Sequence, residues 1–229
     1  MVQRNRFICG LLRVALFATL TRLFSLAGIR IGHIVGTSTS FFAGGSVMAP
    51  LAGVFGSVFE CGALSAIYAA LSIWRGIPAG HPGTYGIASF FAALYWAKPS
   101  VWTRLVVPAA CMLLFFLHPV GHDAFAYTFY WFVPMALYLL RRNSVYFNAL
   151  GSTFVQHAVG SVIYLYSKPM APQVWLELIP AVARERLLIA AWMLAVYAIA
   201  RLGYVIWWCY LARYVPRVVS EPLTTSEGA

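Results

Sequence analysis

Apolar runs follow one another from Phe7 to Val215, and the charged residues fall mostly where one run ends and the next begins. This pattern constrains the fold more than any other feature of the chain. A helix satisfies its own backbone polar groups, so a run of about 20 apolar residues suits a helix crossing a bilayer. A membrane barrel would alternate apolar and polar residues along each strand, and these runs do not alternate. Only 10% of the residues are charged, where a soluble domain carries about 25%. The expected fold is all-α, a polytopic transmembrane helical bundle. It forms a single domain over residues 1–217, followed by a polar, disordered tail at 218–229 that includes "SEPLTTSEGA".

Eight apolar segments are readable. They are Phe7–Ala27, Phe41–Phe55, Ser57–Trp74, Thr84–Ala97, Val101–Leu117, Ala124–Leu140, Ser144–Tyr166 and Ala181–Val215. The second and fourth are short for a crossing, so each is either re-entrant or buried against neighbours, and six to eight membrane segments are expected. Gly- and Pro-rich stretches such as "GIRIGH", "HPVGHD" and "SKPMAP" read as the connecting loops. The N-terminal run is interrupted by Arg13 and Arg22 and lacks a small-residue cleavage site, which favours a retained first helix over a signal peptide. Arg4, Arg6, Lys98, Arg141, Arg142, Arg213 and Arg217 fall on one side if every segment crosses, which predicts both termini inside. The net charge of +10 then reflects topology and anionic headgroups rather than nucleic acid. Cys9, Cys61, Cys111 and Cys209 are dispersed in apolar runs, so no disulfide framework is expected.

The seventh segment contains "LGSTFVQHAVGS". At helical spacing Asn148, Ser152, Gln156, Gly160 and Tyr164 form one column, and Ala149, Thr153, His157 and Ser161 form the next. A polar stripe in an apolar segment faces protein or water, not lipid. Two readings are open. Small and hydroxylated residues allow close helix packing with interhelical hydrogen bonds. Alternatively the stripe lines a solute cavity, with Gln156 and His157 as hydrogen-bonding groups.

Other polar residues pose similar choices. Arg184, Glu185 and Arg186 open the last segment behind Pro180. Glu185 suits a helix first turn, while the arginines oppose the dipole there. They either snorkel to headgroups or anchor a carboxylate or phosphate. Glu60 lies about one turn inside the third segment and needs a partner; Arg13, at comparable depth in the first, is the predicted one. Tyr127 and Trp131 either stack on a flat ligand or fill the core. His33, His81, His118 and His122, with Asp123, collect at outer loops and helix ends, but their spacing matches no metal motif. No metal or cofactor is therefore assigned. No Walker loop, HExxH, GxSxG or dinucleotide fingerprint is present, so neither an ATPase nor a catalytic site is assigned.

The order of features is similar to a known family. A small-residue first helix, "RVALFATL", precedes the Gly-rich pair "FFAGGSVMAPLAGVFGSVFECGALSAIYAAL". Then come "LGSTFVQHAVGSVIYLY" and a last helix opening on "ERLL". This resembles the substrate-binding S component of energy-coupling factor (ECF) transporters, importers of vitamins and metals. The resemblance covers about half the chain, and two additional short segments stand beside the six helices usual in that family. It implies capture of a small water-soluble compound, such as a vitamin, from the outer side of a bacterial cytoplasmic membrane. It also implies docking by the first helix, through Ala15, Ala18 and Thr19, onto a transmembrane coupling protein driven by cytosolic ATPases. The expected solute-binding residues are Asn148, Ser152, Gln156, His157 and Tyr164 of the stripe, with Arg184, Glu185, Tyr127 and Trp131. The competing reading is a membrane-embedded enzyme acting on a lipid or lipid-linked substrate, with His122 and Asp123, or His157 and Glu185, as acid and base.

Overall fold

The computed structural model describes residues 2–26, 30–33, 40–76 and 86–214. His81, the first residues of the segment opening at Thr84, and the 218–229 tail lie outside them. The described chain is helical apart from one short ribbon. In order it contains α1 (Val2–Leu26), β1 (Arg30–His33), β2 (Ser40–Phe42), α2 (Ala43–Phe55), α3 (Val58–Trp74) and α4 (Ile87–Ala97). A π turn (Trp102–Val106) leads into α5 (Val107–Leu117), followed by α6 (Pro119–Asp123). A 3-10 stretch (Phe125–Trp131) then leads into α7 (Phe132–Leu139), α8 (Val145–Ser167), α9 (Pro172–Glu177) and α10 (Ile179–Tyr214). Each apolar segment thus holds a helix. "GIRIGH", expected as a loop, instead carries β1, which pairs antiparallel with β2 through an irregularity between Arg30 and Gly32.

The helix ends have local causes. Ser57 caps α3, its Oγ accepting from the Glu60 amide while Glu60 Oε2 accepts from the Ser57 amide. Ser144 caps α8 through the Phe147 amide. Pro119 and Pro172 open α6 and α9, where a missing N–H leaves no intrahelical bond unmade. Pro108 acts differently. It has no N–H for the Arg104 carbonyl one turn back, and the helix widens just before it, with the Val107 amide reaching the Trp102 carbonyl.

Two compact units are distinguished, Met1–Leu194 and Ala195–Ala229. In the first, the short helices α2 and α4 pack on each other, α1 and α3 lie against α2, and α8 lies against α4. Glycine sets two of these approaches. A Cβ on Gly53 of α2 would overlap the Ala93 carbonyl of α4, and one on Gly151 of α8 would overlap the Tyr95 hydroxyl of α4. Phe17 of α1 stacks on Phe55 of α2 at 6.0 Å between ring centres. Between α1 and α3, Arg13 donates to Glu60 through Nη2 at 2.5 Å and Nε at 3.2 Å, the pairing expected from the sequence. In the second unit, the described end of α10 is exposed from Ala198 to Trp207.

An apolar core is accompanied by buried polar groups and by an extensive exposed apolar surface. Glu60, Arg104, Thr128, Ser152, Thr153, Gln156, Ser161, Glu185 and Arg186 are buried. Large apolar side chains are exposed on α1 (Leu11, Leu12), α3 (Phe59, Trp74), α5 (Leu113, Leu117), α7 (Phe132, Leu139) and α10 (Ile199, Trp207). Of the described helices, Ile179–Trp207 of α10 is long and apolar enough to cross a membrane.

Candidate functional site

The two columns of the α8 stripe face different partners. The first meets α4. Ser152 Oγ donates to the Ala92 carbonyl at 2.9 Å, and Gln156 Nε2 donates to Ser89 Oγ at 3.0 Å. Gly160 sits over Ala88. At one end of this column Asn148 accepts from Arg104 Nη2 at 2.9 Å. At the other, Tyr164 is half-buried, its ring 6.2 Å from that of Trp175. Helix packing therefore accounts for the middle of the column: Ser152 and the Gln156 amide nitrogen are engaged by α4.

The second column faces an aromatic cluster. Tyr127 is its hub, with ring centres 5.3 Å from His157, 5.0 Å from Trp175, 5.7 Å from Phe115 and 6.3 Å from Trp131. The 3-10 stretch brings in Tyr127 and Trp131, and α9 brings in Trp175. Tyr127 Oη lies 3.3 Å from Ser161 Oγ. Below His157 on the same face, Arg186 Nη1 points to the Thr153 carbonyl at 3.5 Å, the outer limit for such a bond. Arg186 also pairs with Glu185 at 2.7 Å, both buried.

Several polar atoms of this region have no partner among the described residues. They are His157 Nε2, the indole nitrogens of Trp131 and Trp175, and Arg186 Nε. Gln156 Oε1, on the α4 side, is also free. A buried polar atom without a hydrogen bond costs about 1–3 kcal/mol, so such atoms are few in a folded protein and call for an explanation. Here three unpartnered rings contact one tyrosine or its neighbours.

The sequence-derived residues thus separate. Tyr127, Trp131 and His157 come together, with Glu185 and Arg186 beside the Thr153 turn. Ser152 and Gln156 turn to α4, and Asn148 turns to Arg104. Arg184, one residue before the buried pair, is exposed. Ala15 and Thr19 are exposed on α1, and Ala18 is half-buried; the face that α1 buries is Val14, Phe17 and Thr21. His118 meets Tyr166 edge-on with ring centres 5.0 Å apart, while His122 and Asp123 form an exposed pair at 3.3 Å. Among the described residues no group of three or more His, Cys, Asp or Glu side chains is placed to hold a metal ion.

Trp175 and Arg104 were not singled out from the sequence. Arg104 carried a usable signal, a cation inside an apolar run with no acid near it. Trp175 carried little, since its helix is six residues long and follows a Pro-rich loop. No family model, curated protein or solved structure matches this chain.

Proposed function

We propose that the chain is a polytopic integral membrane protein that binds a small water-soluble solute, in the manner of an ECF transporter S component. The observation that carries the reading is the set of unpartnered buried groups around Tyr127: His157 Nε2 and the Trp131 and Trp175 indole N–H. The indoles are pure donors, as is the free Nε–H of Arg186, and His157 can donate or accept. Such a set suits a flat solute rich in acceptor oxygens, stacked among aromatic rings. Glu185 holds Arg186 in place and offsets its charge. In this reading Tyr127, Trp131, His157 and Trp175 form the binding group, while Ser152 and Gln156 hold the helix that presents it.

Exposed apolar side chains on most helices, with polar ones buried, support the membrane assignment, since water-soluble monomers rarely expose large apolar patches. Both termini lie inside, six to eight segments enter the bilayer, and the membrane is a bacterial cytoplasmic one. Transport then requires a separate ATPase-driven module, with the exposed α1 face at Ala15 and Thr19 as the docking surface for its membrane coupling protein.

Native mass spectrometry of gently purified protein tests the reading, since a tight binder retains its solute. With the retained compound identified, Tyr127→Phe combined with His157→Ala is expected to weaken its binding about tenfold or more. Wild-type affinity in that double variant would remove the site assignment. Purified protein that neither retains nor binds any small solute would remove the function.

A further inference from the structure

Three side chains with buried charge have a partner of opposite sign: Glu60 has Arg13, and Glu185 and Arg186 have each other. Arg104 is the exception among the described residues. It is 4% exposed, lies in the π turn, and forms no ion pair there. Its contacts are with neutral groups. The guanidinium sits over the Tyr95 ring at 4.6 Å, and Nη2 donates to Asn148 Oδ1 at 2.9 Å. Its Nε is buried without a partner. A buried cation opposed only by a ring face and one amide oxygen is poorly compensated.

A bonded track links this cation to the surface. Asn148 Nδ2 donates to Asn143 Oδ1 at 3.0 Å, and Asn143 is exposed directly after Arg141 and Arg142, themselves exposed. The guanidinium thus lies at the inner end of a hydrogen-bonded chain that ends at a basic turn, and it keeps a spare N–H donor at Nε. Guanidinium groups favour planar, multi-donor recognition of phosphate oxygens, and basic residues at a helix end attract phosphorylated headgroups.

We propose that Arg104, with Asn143 and Asn148, forms a phosphate-binding site separate from the Tyr127 cluster, occupied by the oxyanion of a phospholipid headgroup or of free phosphate. The anion neutralises Arg104 and accepts from its Nε. The proposal does not depend on the solute reading, because it uses none of that site's residues.

The test uses the full chain in detergent, with two probes and two variants. Native mass spectrometry compares retention of phosphatidylglycerol with that of phosphatidylcholine, and thermal unfolding is followed with and without inorganic phosphate. Arg104→Gln removes the cation. Asn148→Asp keeps the shape and places a carboxylate beside the guanidinium, so it supplies the counter-ion internally and guards against a variant that fails to fold. The wild type is expected to prefer phosphatidylglycerol, or to be stabilised by phosphate, and both variants to lose that response about tenfold or more. A response to the lipid alone assigns the site to a headgroup, and a response to phosphate alone assigns it to the free ion. No preference and no stabilisation in the wild type would overturn the proposal. So would an undiminished response in folded Asn148→Asp.

Discussion

The contact between α2 and α4 gives the sharpest test of the packing. A Cβ on Gly53 would lie 2.7 Å from the carbonyl carbon and 2.9 Å from the Cα of Ala93, and would overlap the carbonyl oxygen. Carbon atoms rest at about 3.5–4.0 Å, so Gly53→Ala requires the two helices to part by about 1 Å. The obstacle is backbone within a helix, and no side-chain rotation relieves it. Overpacking of this kind costs about 1–3 kcal/mol, and a rigid obstacle argues for the upper part, about 2–3 kcal/mol. For a chain of this length each kcal/mol moves the midpoint by about 2–4 °C, so a fall of about 4–12 °C is expected. Gly62→Ala is the matched control. Nothing lies within 4 Å of a Cβ at Gly62 in α3, so the substitution only improves helix propensity by about 0.5–1 kcal/mol. Its midpoint should rise by about 1–4 °C on the same scale. Thermal unfolding in detergent, followed by tryptophan fluorescence, reads both. Equal midpoints for the two variants would refute the α2–α4 register and with it the placement of α4 beneath α8.

Further outcomes follow from the same geometry. Gln156→Ala, which loses the bond to Ser89, should lower stability by about 1 kcal/mol and leave solute affinity intact. His157→Ala should do the reverse, and an exchange of the two behaviours, read by unfolding and by a binding titration, would invert the roles given to the two columns. Glu60→Gln keeps a side-chain acceptor for the Ser57 amide and for Arg13 and loses only the charge, whereas Glu60→Ala loses that acceptor. The alanine variant should therefore be less stable than the glutamine variant by about 1 kcal/mol, and equal midpoints would show that these bonds contribute nothing.

Much of the helical frame was legible in the sequence because apolar runs and their Pro, Gly and Ser boundaries are local signals. The run Ser57–Trp74 became Val58–Trp74 with Ser57 as its cap, and Ser144–Tyr166 became Val145–Ser167 with Ser144 as its cap. The Arg13–Glu60 contact was legible for another reason: an acid at that depth has few ways to be satisfied. The ribbon of β1 and β2 was not, since four residues containing a glycine carry no alternation to read. The α8 stripe marks the limit most clearly. Periodicity showed that both columns turn inward, but not that α4 would occupy one and Tyr127 the other. That division depends on where an 11-residue helix from 60 positions upstream comes to rest. Arg104 was missed because a lone arginine reads as a topology signal until its burial is seen.

The Arg13–Glu60 pair also imposes an order in time. The carboxylate lies 47 residues downstream of the guanidinium, so α1 is complete long before its counter-charge has been synthesised. The same carboxylate is held at the start of α3 by the Ser57 amide, so it is presented to Arg13 once α3 has begun to wind. Gly10 and Gly56 leave the room it occupies, for a Cβ at either would press on its oxygens. Helix α1 therefore waits for α3 before it can be locked, and a chain that stalls before residue 60 leaves a cation in an apolar helix without its mate.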